Sequence, residues 1–152
     1  MTVTNEGAAF RKGILGNGPV SKASGAFAAD TRAIFTIAGG EVLVTAIWGK
    51  VTTAITVADT VKLQTNPTTG DTADIVTATD IGTTDTAVGT ILGGLDQTDT
   101  PPDLNRGGKP IGPCIVSTGQ IEQVTTGTNP DGAVTWYATW VPLTDGATLV
   151  AA

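Results

Sequence analysis

Proton transfer and nucleophilic attack near neutral pH usually begin with histidine, a thiolate or a carboxylate pair, and this chain is nearly bare of the first two. Its 152 residues include no histidine, one cysteine, Cys114, and three glutamates. Without histidine neither a Ser-His nor a Cys-His nucleophile can be assembled, and one cysteine cannot complete a four-ligand zinc site. Cys114 stands in Gly-Pro-Cys-Ile-Val at the head of an apolar run, where a small core residue is expected. Asp71, Asp74, Asp80 and Asp85 could offer the carboxylate pair of a glycoside hydrolase, but acids set among Thr and Gly normally cap and turn the chain. Asp96, Asp99, Asp103 and Asn105 crowd one loop without the alternate-residue spacing and closing glutamate of a helix-loop-helix calcium site. Gly107-Gly108-Lys109-Pro110 lacks the upstream glycine and the Ser/Thr after lysine that a phosphate loop needs. The expectation is a chain that is not an enzyme, with no catalytic residues, no cofactor and no metal.

What the chain has in excess is threonine, 29 residues, beside abundant Val and Ile, the composition of β-sheet walls. Leu, Ile, Val and Phe make 36 residues, enough for one core, while 20 Gly and 8 Pro imply many turns. Fourteen acids against eight bases give a net charge of −6, which argues against nucleic acid or an anionic membrane as partner. The charge is uneven. Residues 1–50 carry five bases and three acids, residues 51–100 one base and seven acids, residues 101–152 two bases and four acids. No apolar run approaches the ~20 residues of a membrane helix, and the first residues lack the basic and apolar regions of a signal peptide, so a chain made and kept in the cytoplasm is expected. A lone cysteine gives no intrachain disulfide, leaving packing or oligomerisation to supply stability.

Residues 1–30 read as an extended arm, with neither helical nor strand periodicity but with spaced apolar anchors at Phe10, Ile14, Leu15 and Phe27 and bases at Arg11, Lys12 and Lys22. Phe10, Arg11, Lys12, Ile14, Leu15 and Phe27 are therefore the candidate partner-binding residues. Residues 31–152 read as one all-β domain, a β-sandwich or small β-barrel of about eight short strands. Ile34–Ile37 leads into Gly39-Gly40, a two-residue hairpin signal, and Val42–Trp48 continues as a strand. Further strands are expected at Val51–Val57, Val61–Thr65, Ala73–Ala78, Val88–Leu92, Cys114–Val116, Ile121–Thr125, Val134–Val141 and Ala147–Val150, with essentially no helix from Ile34 to Val150. Thr98–Pro113, rich in Pro and Gly, reads as a long exposed loop, either of ordinary surface type or an excursion that binds a partner. Val134, Trp136, Ala138 and Trp140 share one strand face, and Trp48, Trp136 and Trp140 are the core candidates.

The run Phe35-Thr36-Ile37-Ala38-Gly39-Gly40-Glu41-Val42-Leu43-Val44-Thr45-Ala46-Ile47-Trp48, continuing to Ile55, resembles the opening of a group of small head proteins of tailed bacteriophages. Lys62–Gly70, Gly119–Glu122, Gly132–Trp136 and Trp140–Leu143 are similar to that group in order and spacing, so the resemblance spans roughly residues 34–150 and leaves out the arm and the Pro-rich loop. It implies a virion structural protein, a minor capsid or capsid decoration protein on the outer surface of the head, with the major capsid protein as partner. A homo-trimer follows by analogy, since such proteins often sit at three-fold points. A tail-associated or carbohydrate-binding β-module is the alternative. An exposed Trp48 or Trp140 would favour that module, and buried tryptophans the shell protein.

Overall fold

The computed structural model describes residues 6–94, 102–107 and 109–152. One helix, α1 (Glu6–Leu15), precedes eleven strands: β1 (Asn17–Ala23), β2 (Thr31–Ala38), β3 (Val42–Thr53), β4 (Asp59–Pro67), β5 (Ala73–Asp80), β6 (Ile91–Gly94), β7 (Leu104–Arg106), β8 (Cys114–Val116), β9 (Gly119–Gly127), β10 (Ala133–Pro142) and β11 (Thr148–Ala151). They form two antiparallel sheets that pack as a sandwich and do not close into a barrel. The first sheet runs β1-β10-β3-β6-β7, with β8 also paired to β3, and the second runs β11-β2-β9-β4-β5. Alternation drives this arrangement. Along β4 the inward Val61 and Leu63 are buried while Thr60, Lys62 and Gln64 on the other face are partly exposed, and β10 alternates in the same way from Ala133 to Ala138.

The core between the sheets holds Phe35, Ile37, Val44, Ile47, Ile121 and Leu149, among others, and one polar chain. Trp136 Nε1 on β10 donates to Gln123 Oε1 on β9 at 2.7 Å, and Gln123 Nε2 donates to Thr125 Oγ1 at 2.8 Å. Trp136 is fully buried and Gln123 is 2 % exposed, so the bond crosses from one sheet to the other inside the core. Gly49 lies directly opposite Trp136, and a Cβ there would come within 3.0 Å of the indole ring, so the missing side chain makes the indole's room.

Both long edges of the sandwich are tied. On one side Lys22 Nζ donates to the Ala152 carbonyl, joining β1 to the end of β11. On the other Thr77 N donates to Pro102 O at 3.0 Å and Leu104 N to Thr79 Oγ1 at 3.0 Å, joining β5 to β7. Each rim thus carries a hydrogen-bonded tie between the two sheets.

Three sequence expectations are corrected. The Gly39-Gly40 turn is not a hairpin, because β2 pairs with β9 and β11 in the second sheet while β3 belongs to the first. Positive φ at both glycines, 76° and 134°, makes the sharp corner, but a turn signal carries no information about which sheet the leaving strand joins. Of the stretch 1–30, the described residues 6–30 are not an extended arm: Glu6–Leu15 is helical, β1 pairs with β10, and Phe27, 6 % exposed, is part of the core; residues 1–5 lie outside the described residues. Arg32 holds that last stretch down by donating to the carbonyls of Ser24 and Ala26 and to Asp30. The Pro-rich stretch is partly sheet, since it contains β7 and Ile111, which bridges to Ile47 and is buried; residues 98–101 and 108 lie outside the described residues. From Ile34 to Val150 the described residues contain no helix, as expected.

Trp136→Ala should lower unfolding stability by about 3–5 kcal/mol, through a cavity and an orphaned Gln123 together. Trp136→Phe, which keeps most of the volume and removes the indole N–H, should lose about 1–3 kcal/mol. Urea denaturation of the two variants separates the packing share from the hydrogen-bond share, and equal losses would contradict this division.

Candidate attachment surface

Helix α1 ends where its sequence says it must. Gly16 has φ +83° and donates its N–H to Lys12 O at 2.9 Å, a left-handed C-terminal cap, and a Cβ at Gly16 would sit 2.3 Å from Trp140 O. Thr45 is the extra residue of a bulge in β3, where the pairing with β10 steps from Ala46 opposite Thr139 to Val44 opposite Trp140. Its hydroxyl donates to Leu15 O at 2.8 Å and shares a 2.7 Å hydrogen bond with Thr139 Oγ1. One orphan carbonyl of the helix end is thus satisfied by the outer face of the first sheet. Between α1 and β1 runs a groove of about 560 Å³ lined by Arg11, Lys12, Leu15 and Pro19.

Every side chain described on α1 is exposed, Phe10 at 69 %, Ile14 at 63 % and Leu15 at 52 %. Phe10 and Ile14 are four residues apart and lie on one face, beside Arg11 and Lys12. An isolated helix shorter than ~12–15 residues is marginal in water, so a ten-residue helix whose described side chains are all exposed gains little from the domain beneath. Five of the six partner-binding candidates, Phe10, Arg11, Lys12, Ile14 and Leu15, therefore fall together on one projecting element. Phe27 does not join them, because the core takes it.

The tryptophans divide. Trp136 and Trp140 are buried, as their shared face predicts. Trp48 is not a core residue: its parity on β3 points it outward, where it is partly exposed and stacks on Tyr137 of β10 with ring centroids 5.4 Å apart and planes 9° apart. The two residues are directly opposed across the strands, a pairing of two outward positions that the sequence alternation around Tyr137 already contains.

Two of the acids, Asp131 and Asp80, are turn-makers. Asp131 accepts from Thr56 N, Thr56 Oγ1 and Val57 N, and Asp80 from Gly82 N, Thr83 N and Thr83 Oγ1; in each case the threonine hydroxyl leads in holding the carboxyl below its ordinary value. Asp59 differs. It is 2 % exposed, neither carboxyl oxygen has a hydrogen-bond partner among the described residues, and burial, followed by repulsion from Asp131 and Asp80, pushes its pKa up to about 6. Asp103 accepts a hydrogen bond from Thr77 Oγ1 and Asn105 from Arg106 N, while Asp96 and Asp99 lie outside the described residues. Among the described residues no three His, Cys, Asp or Glu side chains are grouped so as to hold a metal ion. Burial raises the Cys114 thiol to about 11, which removes thiolate character at neutral pH.

No family model, curated protein or solved structure matches this chain.

The raised pKa of Asp59 sets a pH dependence of definite sign. Stability from a carboxyl whose folded pKa lies above its unfolded one is fully present below the ordinary carboxylate value of 3.8 and is lost as pH rises through about 6. Asp59→Asn removes that loss, so its thermal midpoint should exceed the parent's by about 5 °C at pH 8, with the gap closing toward pH 4. Thermal melts across that range check it, and a gap that widens on acidification would reverse the assignment.

Proposed function

We propose that this chain is a virion structural protein that binds the outer surface of a tailed-phage head and reinforces it as a decoration protein, with the major capsid protein as its partner. The observation that carries the reading is α1: a helix too short to be stable by itself, presenting Phe10, Ile14 and Leu15 to solvent beside Arg11 and Lys12. Such an element is suited to a seat on another protein, where apolar side chains enter pockets and the bases meet carboxylates. The resemblance of residues 34–150 to phage head proteins supports the same direction. Assembly as a homo-trimer, directly or on the shell, belongs to the proposal.

A second reading, a tail-associated or carbohydrate-binding module, draws on the part-exposed Trp48. The geometry favours it less, because stacking on Tyr137 occupies one face of each ring, whereas a sugar platform presents ring faces to the ligand.

The test is a truncation placed by the fold. Removal of residues 1–28 would strip β1 from β10 and Phe27 from the core, so the informative deletion stops at Leu15. The shortened chain should keep a cooperative melt within a few degrees of the parent and lose most of its binding to heads assembled without the native protein, by about tenfold or more. Equal binding by the two forms in a sedimentation assay would take the attachment away from α1.

A further inference from the structure

We infer that the outer face of the first sheet, from the foot of α1 through the Trp48–Tyr137 stack to Lys50, is a docking face for an acidic protein surface. This rests on the reading of the chain as a head-binding protein and says which side of it meets the shell.

Charge is segregated between the two sheets. The six strands of the first sheet contain Lys22, Lys50 and Arg106 and no acid, although the whole chain carries −6. The strands of the second contain Asp59, Asp74, Asp80 and Glu122 against Arg32 and Lys62. Both of those bases are in ion pairs, Arg32 with Asp30 and Lys62 with Asp74, each at 2.8 Å. On the first sheet Lys22 and Arg106 are spent on backbone carbonyls, Arg106 also on Thr86 Oγ1. Lys50 is exposed and forms no ion pair among the described residues, and the same holds for Arg11 and Lys12 on α1. Lys109, exposed and likewise in no ion pair among the described residues, bridges to Gly94 of β6, so the four bases outside ion pairs and backbone contacts belong to α1, to the first sheet or to its margin.

That side is continuous. The Thr45 hydroxyl ties the end of α1 to the sheet's outer face, and Trp48 follows three residues along the same strand, roughly 10 Å away at the usual rise. Lys50 comes two residues later with the same outward parity, and Ser21 of β1 lies opposite Tyr137 on the other flank. Aromatic anchors at the centre with few charges, and cations at the margin, are the composition of a protein contact. Nucleic acid fits less well: four free cations give weak phosphate neutralisation, and a net −6 opposes the approach of a polyanion.

Three full-length variants test the face on heads assembled without this protein: Lys50→Glu and Trp48→Ala on it, and Lys62→Glu on the opposite sheet, each first shown to fold by circular dichroism and melting. Binding should weaken by about tenfold or more for Lys50→Glu and for Trp48→Ala, and by less than about twofold for Lys62→Glu. Raising salt from about 0.05 to about 0.5 M should weaken the parent markedly and Lys50→Glu less. Parent-like binding by both first-sheet variants overturns the face while leaving head binding intact, whereas failure of the parent itself to bind heads overturns both. Self-association that Lys50→Glu abolishes, seen in sedimentation equilibrium, or a preference of the parent for duplex DNA or anionic vesicles over heads, assigns the face to another occupant and also overturns it.

Discussion

The hydrogen bond from Trp136 to Gln123 is the constraint on which the rest of the sandwich turns. Apolar side chains tolerate many ways of facing one another, but a buried indole N–H and a buried amide tolerate few, since each orphaned group costs about 1–3 kcal/mol. Here each supplies what the other lacks across the gap between sheets, with Thr125 taking one amide hydrogen. A one-residue slip of β10 would turn Trp136 outward, and one of β9 would turn Gln123 outward, in either case orphaning the partner left in the core. Once that register holds, the outer face of the first sheet is also decided. Tyr137 must point away from the core because Trp136 points in, and Trp48 must stand beside it because Gly49 is the residue that clears space for Trp136.

The rims tie the two sheets together, through the Lys22 contact at one edge and the Thr77–Pro102 and Thr79–Leu104 hydrogen bonds at the other. The two faces are unlike: the second displays Glu122 gripped by Gln64 and Asn66 and a Lys62–Asp74 pair, all satisfied among themselves, while the first displays an aromatic stack and an unpaired lysine.

Period-two alternation made the strands legible from Ile34 onward, and it placed Trp136 and Trp140 in the core correctly. It could not say how strands are shared between sheets. Gly39-Gly40 signals a reversal, and the same dihedral freedom serves a hairpin or a corner between sheets; the choice is made by distant partners, Gly146 and Thr144, against which those glycines pack. Phe27 looked like a free anchor because its neighbours are small and aperiodic, yet its N–H bonds Gly132 O and its ring is swallowed by the core, a long-range outcome. Trp48 was misread for a local reason. The Thr45 bulge interrupts strict alternation along β3, but Val44 and Ile47 on the inward side fix Trp48 as outward, a parity that hydrophobicity alone concealed. The asymmetry of free cations was half visible: the amino-terminal third is the only basic one, but its meaning depends on which strands become neighbours.

On the docking face proposed above, segregated charge orients a protein of this net sign toward an acidic target. At distances beyond the Debye length, about 8 Å at physiological salt, an acidic target sees little of either sheet. Within it, the target meets whichever side is turned toward it: the Asp-bearing turns and the second sheet repel, and Arg11, Lys12 and Lys50 attract. The discrimination lies mainly in refusing the wrong orientation, because a few exposed cations add modest affinity while an approach led by carboxylates is strongly disfavoured. The apolar anchors of α1 and the Trp48–Tyr137 stack then act only after the correct side has arrived, and short-range burial supplies the binding that long-range charge has oriented.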